Sequence, residues 1–239
     1  MNSSETRLGT WLSFGSPAVA ELAAMCGFDW VLLDLEHGCE SEAALPNQMR
    51  ALRSTATKAI VRVGAPNQDV IGRVLDWGAH GIMVPHVNSV QDAFQCVRAA
   101  NYPPLGRRGY SRTVPAYDYG LQPPDEKSIP PVVIAQIETL EAVEHADEIA
   151  AVSGIHALFV GPADLTFDLK VHHSARTYEE CLKRVVKAAK DHQKAAGILV
   201  RDTADFANLK ALGFNWLALD SDIGLLRKSY QSLLSTTRQ

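Results

Sequence analysis

Glu138 and Asp164 are the residues around which a chemical reading of this sequence begins. Each follows an apolar run with the look of a buried strand. The stretch 131–139, PVVIAQIET, opens on turn residues, continues through β-branched Val132, Val133 and Ile134, and ends on Gln136 and Glu138. A period of two places Gln136 and Glu138 on the same side. The pattern recurs at 157–165, ALFVGPADL, where an apolar strand opens into Gly-Pro-Ala-Asp. A carboxylate at the mouth of a buried strand is costly unless something neutralises it. Two hard oxygen ligands at consecutive strand ends can hold a divalent cation and leave positions open for water and substrate. The plainer alternative is that each acid caps the next helix or pairs with an arginine.

Composition narrows the classes of function. The chain has 239 residues, 46% hydrophobic and 21% charged, with a formal net charge of −4. That fits one domain, 1–239, with a large core. A mildly acidic chain without a Lys/Arg block argues against nucleic acid and against an anionic membrane surface. The first residues, MNSSETRLGTW, lack the basic and apolar regions of a signal peptide, and no apolar run reaches the length of a membrane span. Cys26, Cys39, Cys96 and Cys181 form no C-x-x-C pair and read as reduced thiols of a cytoplasmic protein.

The elements that must position the acids alternate. Strands are expected at 9–14, 30–34, 59–63, 81–85, 132–137, 157–160, 197–200 and 216–219. Helices are expected at 17–26, 41–54 (its start delayed by Pro46), 67–77, 89–100, 140–152, 177–195, 203–212 and 222–234. A long connection, 101–131, is rich in proline and carries three arginines and four tyrosines. Its length marks it as functional or irregular. Eight strand–helix units in about this length predict a parallel (β/α)₈ TIM barrel. An open doubly wound sheet would favour G-x-G-x-x-G after the first strand, and GTWLSFGSP lacks it.

Barrel chemistry lies at the C-terminal strand ends. In order these carry Ser13; Asp34, Glu36 and His37; Arg62; Pro85; Gln136 and Glu138; Gly161 to Asp164; Arg201; and Asp220 to Asp222. No lysine ends a strand, which disfavours a Schiff base and leaves a metal as the electrophile. The last two strands exit without Gly-rich turns, so a phosphate cup is not expected.

Five ordered segments, DWVLLDLEHG, IVRVG, VVIAQIETLEA, ALFVGPADL and GILVRD…LGFNWLALDSDIGLL, resemble the HpcH/HpaI aldolases over nearly the whole chain. The resemblance implies class II pyruvate aldolase activity on a phosphoenolpyruvate/pyruvate-type barrel with a swapped C-terminal helix. It also implies a Mg²⁺, Mn²⁺ or Co²⁺ ion and homo-oligomers built from dimers, a hexamer among them. Glu138 and Asp164 match the metal ligands. Gln136 matches a residue near bound pyruvate, and Arg62 the arginine beside its keto oxygen. His37 matches the catalytic base, with Asp34 as its carboxylate partner. Gly161–Asp164, Ala163 included, matches a turn whose amides hold the pyruvate carboxylate. Trp11 and Asp76 match positions around the site, and Glu36 fits an outer hydrogen-bonding role.

These types suit retro-aldol cleavage of a 4-hydroxy-2-oxo acid into pyruvate and an aldehyde. A neutral histidine can take the hydroxyl proton. A carboxylate on its other nitrogen fixes the tautomer. A cation and a permanently charged arginine face the developing enolate. The alternatives are a citrate-lyase-β or malyl-CoA-lyase-like enzyme, an oxaloacetate decarboxylase of the macrophomate-synthase kind, and a metal-free sensor. The segment after Asp164, LTFDLKVHHSART, and the loop GRRGYSRTVPAYDYG depart from the family pattern where the second substrate would be chosen. The pair His172–His173 reads as solvated rather than metal-binding.

Overall fold

The computed structural model describes residues 5–39, 41–122, 124 and 130–237. Parts of the N-terminal segment and of the long connection considered above lie outside these. Eight parallel strands close into a barrel in sequence order. They are β1 (Arg7–Leu12), β2 (Trp30–Asp34), β3 (Lys58–Arg62), β4 (Gly81–Val84), β5 (Val132–Ile137), β6 (Ala157–Val160), β7 (Ala195–Val200) and β8 (Trp216–Ser221). The helices around them are α1 (Pro17–Met25), α2 (Leu45–Leu52), α3 (Gln68–Asp76), α4 (Val90–Ala100), α5 (Leu140–Glu144), α6 (Ala146–Ala151), α7 (Pro162–Val171), α8 (Tyr178–Asp191), α9 (Phe206–Leu212) and α10 (Asp222–Thr237). The expected (β/α)₈ barrel is the observed fold.

Local chemistry fixes the helix starts. Ser16, Asn67, Ser89 and Thr139 each accept a backbone N–H from the first turn of the helix that follows. Thr177 and Glu180 form a reciprocal capping box on α8. Pro46 sits in the first turn of α2, so that helix begins at Leu45 rather than at residue 41.

Three departures from the sequence-based elements have physical causes. The helix expected over 140–152 breaks at His145 into α5 and α6. Gln193 adopts a left-handed φ of 57°, which ends α8 early and frees Ala195 to begin β7. Residues 162–171 form α7, a helix the sequence pattern does not announce, because Leu165 is its one buried side chain and no apolar stripe marks it. Gly161–Asp164 is therefore a helix N-terminus rather than a free turn.

Two layers of core follow from the strand period. Outward residues pack under the helices, while Trp30, Leu32, Ile60, Met83, Ile134 and Phe159 fill the barrel interior. Trp30 stacks on Trp216 with centroids 5.8 Å apart and meets Phe159 edge-on at 6.2 Å, and Trp11 lies 5.8 Å from Phe159. A Cβ on Gly9 would fall 2.2 Å from the Trp30 ring, so glycine there admits the indole. This aromatic column plugs the barrel. Trp11 tops it and becomes the floor of the mouth.

At the opposite end, one residue before each even-numbered strand bonds twice to the preceding strand. The backbone amides of Asp29, His80, His156 and Asn215 donate to the carbonyls of Leu8, Ala59, Val133 and Ala196. Their side chains accept the N–H of those same residues: Asp29 Oδ2 at 2.8 Å, His80 Nδ1 at 3.2 Å, His156 Nδ1 at 3.1 Å and Asn215 Oδ1 at 3.0 Å. Each side chain thus supplies the acceptor that a longer strand would have supplied.

Candidate active site

The inward phase of the strands carries polar groups up from the aromatic column. On β2 it runs Trp30, Leu32, Asp34; on β3, Ile60, Arg62; on β5, Ile134, Gln136 and then Glu138. Together with the N-terminus of α7 they open onto a cleft of about 680 Å³ at the C-terminal mouth. Trp11, Asp34, His37, Arg62, Gln136 and Asp164 all line it. No lysine is among the described residues that do so.

Register brings Asp34 and Arg62 together, since they are direct partners between β2 and β3. Arg62 donates through Nε to Asp34 Oδ1 at 2.9 Å and through Nη2 to Oδ2 at 2.7 Å. Its Nη1 lies 2.8 Å from Glu36 Oε2, and its guanidinium sits 4.8 Å above the Trp11 ring. Trp11 Nε1 also donates to Asp34 Oδ2 at 3.0 Å. Burial pulls the Asp34 carboxyl upward, but the Arg62 bonds and charge and the Trp11 bond outweigh it, leaving the group below its ordinary range.

Asp34 was expected to orient the His37 ring. It reaches His37 through the backbone amide, at 3.3 Å, and its oxygens are otherwise taken by Arg62, Trp11 and the Glu36 amide. Among the described residues the carboxylate nearest the His37 ring is Glu36, at 3.9 Å from Nε2, and the ring stands 68% exposed at the rim.

Glu138 is 2% exposed. Its Oε1 accepts the His86 N–H at 2.7 Å and lies 2.9 Å from His86 Nδ1, while Gln136 Nε2 donates to Oε2. Burial raises its pKa; the His86 contacts oppose this, and the Asp164 and Glu36 carboxylates add to it. The sequence pattern points to Pro85 at the end of β4 and does not anticipate His86. This histidine holds a left-handed φ of 53°, rare for a residue with a side chain, and this aims both its amide and its ring at Glu138. Its Nε2 also lies 3.7 Å from Glu36, so His37 and His86 flank that acid. A histidine immediately beyond a strand end was the available signal.

The oxygen donors here are of the kind a divalent cation takes, although no three acids, histidines or cysteines among the described residues form a ready ligand set. The Asp164 and Glu36 carboxylates lie close enough to Glu138 to raise its proton affinity. Gln136 Oε1 is buried with no hydrogen-bond partner among the described residues. A Cβ on Gly161 would come 2.8 Å from Glu138 Oε2 and 2.9 Å from Gln136 Nε2, so the space above these groups exists because position 161 has no side chain. Hard oxygen donors around a cradle of this kind suit Mg²⁺, Mn²⁺ or Co²⁺. Gly161 caps α7 and Ala163 lies in its first turn, where unpaired amides favour a carboxylate.

Asp76 does not join the site within the chain. It ends α3, which runs away from the mouth, and it binds Arg108 of the long connection at 2.6 Å. Arg108 in turn covers Tyr102 at 4.6 Å, and the Tyr102 and Tyr117 hydroxyls meet at 2.8 Å. The described part of the connection packs on itself and on α3 and lines no part of the cleft. His172 and His173 are exposed at the end of α7.

The profile of the HpcH/HpaI aldolase/citrate lyase family matches residues 7–229. A 5-keto-4-deoxy-D-glucarate aldolase of Salmonella gallinarum is 33% identical, over 98% of this chain and 93% of its own length. Among solved structures, an HpcH/HpaI aldolase/citrate lyase family protein from Burkholderia cenocepacia superposes with a TM-score of 0.91 at 31% identity, covering 99% of this chain and 96% of that one. The citrate synthase SbnG gives 0.84 at 29% identity, covering 100% and 95%. With its sequence and its barrel matched along nearly the full length, the chain belongs to the HpcH/HpaI aldolase/citrate lyase family.

Proposed function

We propose that this protein is a divalent-metal-dependent aldolase that reversibly cleaves a 4-hydroxy-2-oxo acid into pyruvate and an aldehyde. The observation that carries this reading is the buried Glu138 beneath the bare Gly161, with the unpartnered Gln136 Oε1 beside it and Arg62 in the same cleft. Glu138 and Asp164 would hold the cation. When bound, a divalent ion supplies a Lewis acid for the 2-oxo group.

The chain's own residues do the rest. The N-terminus of α7 presents the Ala163 and Asp164 amides to the pyruvate carboxylate, since the Gly161 amide is spent on the Ile137 carbonyl and Pro162 has none. Arg62, fixed on one side by Asp34 and Glu36 and from below by Trp11, keeps a permanent positive charge beside the oxygen that becomes the enolate. His37 at the rim takes the proton of the 4-hydroxyl, and the C3–C4 bond then breaks toward the enolate. Glu36, in reach of both His37 and Arg62, couples the base to the anion-stabilising group. In the synthetic direction the same groups run in reverse.

A panel of aldehydes offered with pyruvate and Mn²⁺ or Mg²⁺, with product structures determined, tests the assignment. Chelation should abolish turnover and added cation should restore it. Full activity in chelator, or a pyruvate adduct trapped by borohydride, would rule it out.

A further inference from the structure

Glu138 offers its two oxygens unequally. Oε2 accepts a bond from Gln136 Nε2 and lies 2.8 Å from where a Cβ on Gly161 would stand, so it faces the open cradle. A carboxylate oxygen has two lone pairs, which leaves Oε2 with capacity for a cation. Oε1 is turned toward the end of β4. There it accepts the His86 amide at 2.7 Å, and His86 Nδ1 stands 2.9 Å from the same atom. Amide and ring together close that oxygen off.

One residue closes it twice because its backbone is left-handed, and the turn that carries this conformation is firmly held. Val87, next in the chain, is buried. The Asn88 amide donates to Asp92 at 3.2 Å, and the Asn88 carbonyl meets His145 Nδ1 at 2.9 Å. Asn88 Oδ1 accepts the Thr139 hydroxyl at 2.7 Å. Thr139 directly follows Glu138, so the turn that bears the ring and the strand end that bears the acid are fixed to one another. On its other side the ring has Glu36, with Oε1 3.7 Å from Nε2.

We propose that His86 makes Glu138 a one-oxygen ligand and thereby selects Mg²⁺ and Mn²⁺ over Ca²⁺. This rests on the aldolase reading, in which Glu138 and Asp164 hold the cation. His86 is a positioning residue, since it touches the acid and not the substrate. Mg²⁺ is content with one or two carboxylates and several waters, and Mn²⁺ takes similar oxygen sites. Ca²⁺ takes about six to eight oxygens and gains from a carboxylate that can offer both of its own. With Oε1 closed, Glu138 offers one. The described acids, histidines and cysteines form no ready set of three ligands, so the hold on each acid bears directly on affinity.

Calorimetric titration with Mn²⁺ and with Ca²⁺, in the absence of substrate, reads this without turnover. The unaltered protein should bind Mn²⁺ more tightly than Ca²⁺. His86→Gly keeps the left-handed turn and its amide and removes only the ring. Its Mn²⁺ affinity should fall by roughly 10- to 100-fold, the scale for losing a residue that orients a metal ligand. Its Ca²⁺ affinity should stay within a few-fold, so the preference shrinks. His86→Asn tolerates the same backbone and brings a side-chain amide nitrogen to the place of Nδ1, so it should restore most of the Mn²⁺ affinity and of the preference. Equal losses for both cations, an unchanged Mn²⁺ affinity in His86→Gly, or a His86→Asn protein no better than His86→Gly overturns the role of His86 alone. Failure of the unaltered protein to bind Mn²⁺ at all would sink the metal-dependent reading and this assignment with it.

Discussion

Arg62 holds its guanidinium between two acids and over an indole, so its value lies in planarity as much as charge. Arg62→Lys keeps the charge but cannot meet Asp34 through two nitrogens, touch Glu36 and lie flat on Trp11. Turnover should fall by at least ~10²-fold, the scale for losing one oxyanion donor, while calorimetric cation affinity stays within a few-fold. Near-normal turnover would make Arg62 a structural residue. His37 bears on a different step. Pyruvate would be held by Arg62, the α7 N-terminus and the cation, none of which involves the imidazole. His37→Ala should therefore leave pyruvate affinity nearly unchanged and lower kcat for cleavage by roughly 10²–10⁴. Oxaloacetate decarboxylation, if catalysed, needs the enolate but no hydroxyl deprotonation, and should suffer less. Equal losses in both reactions would remove the base role. Asp34, Glu138 and Arg62 were legible in the sequence because each stands in phase at the end of an apolar run, whereas Asp164 follows its strand from inside α7. The pairing of Asp34 with Arg62 instead of the His37 ring was not, since it follows from the β2–β3 register. Neither was the turn at His86, which depends on a backbone conformation that residue type does not announce.

Among the elements, the strands were read closely and the ring at the closed end was not. Val132–Ile137 and Ala157–Val160 have the expected bounds because an unbroken apolar run between turn residues admits little else. Asp29, His80, His156 and Asn215 differ in type and are unevenly spaced, and the barrel register alone makes them equivalent. α7 was missed for a related reason: a helix that lies along the mouth buries little and shows no stripe. The ring has a consequence for acid stability. Desolvation, reinforced by the nearby Lys58 charge, holds His80 down at about 4 from an ordinary 6.5, and its Nδ1 accepts the Ala59 N–H in the unprotonated form. Between those values the unfolded chain takes up a proton that the folded protein refuses, so stability falls as the pH drops from 6.5 toward 4. Asparagine already fills the same role at position 215 and does not titrate. His80→Asn should therefore fold, keep its activity and show a shallower decline of Tm over that window. A decline as steep as that of the unaltered protein would mean that the Nδ1 contact contributes nothing to the acid limb.

At the scale of the whole molecule, α10 is the part that a single chain leaves unfinished. The helix spans 16 residues, yet Asp222 and Gly224 are the residues it buries. Asp222 has a task at the mouth, where its carboxylate accepts the Ser13 and Phe14 amides and closes the β8–β1 seam. Beyond it, Ile223, Leu226, Tyr230, Leu233 and Leu234 follow a helical period along one stripe, and all are exposed, Leu233 by 63%. A stripe of this kind on a terminal helix calls for a covering surface, because so much contiguous apolar area is unusual on a monomer. A second copy of the chain is the cover we expect, with the helices of paired barrels packed on one another, as the resemblance to the swapped-helix aldolases suggests. Light scattering at micromolar concentration should give a mass at least twice 26.0 kDa. Leu233→Glu combined with Leu234→Glu lies far along the helix from the mouth and should shift the mass toward the monomer. It should also lower Tm and make Tm depend on protein concentration. A strict monomer in the unaltered protein, or an oligomer indifferent to both charges, would show that this stripe is not the interface.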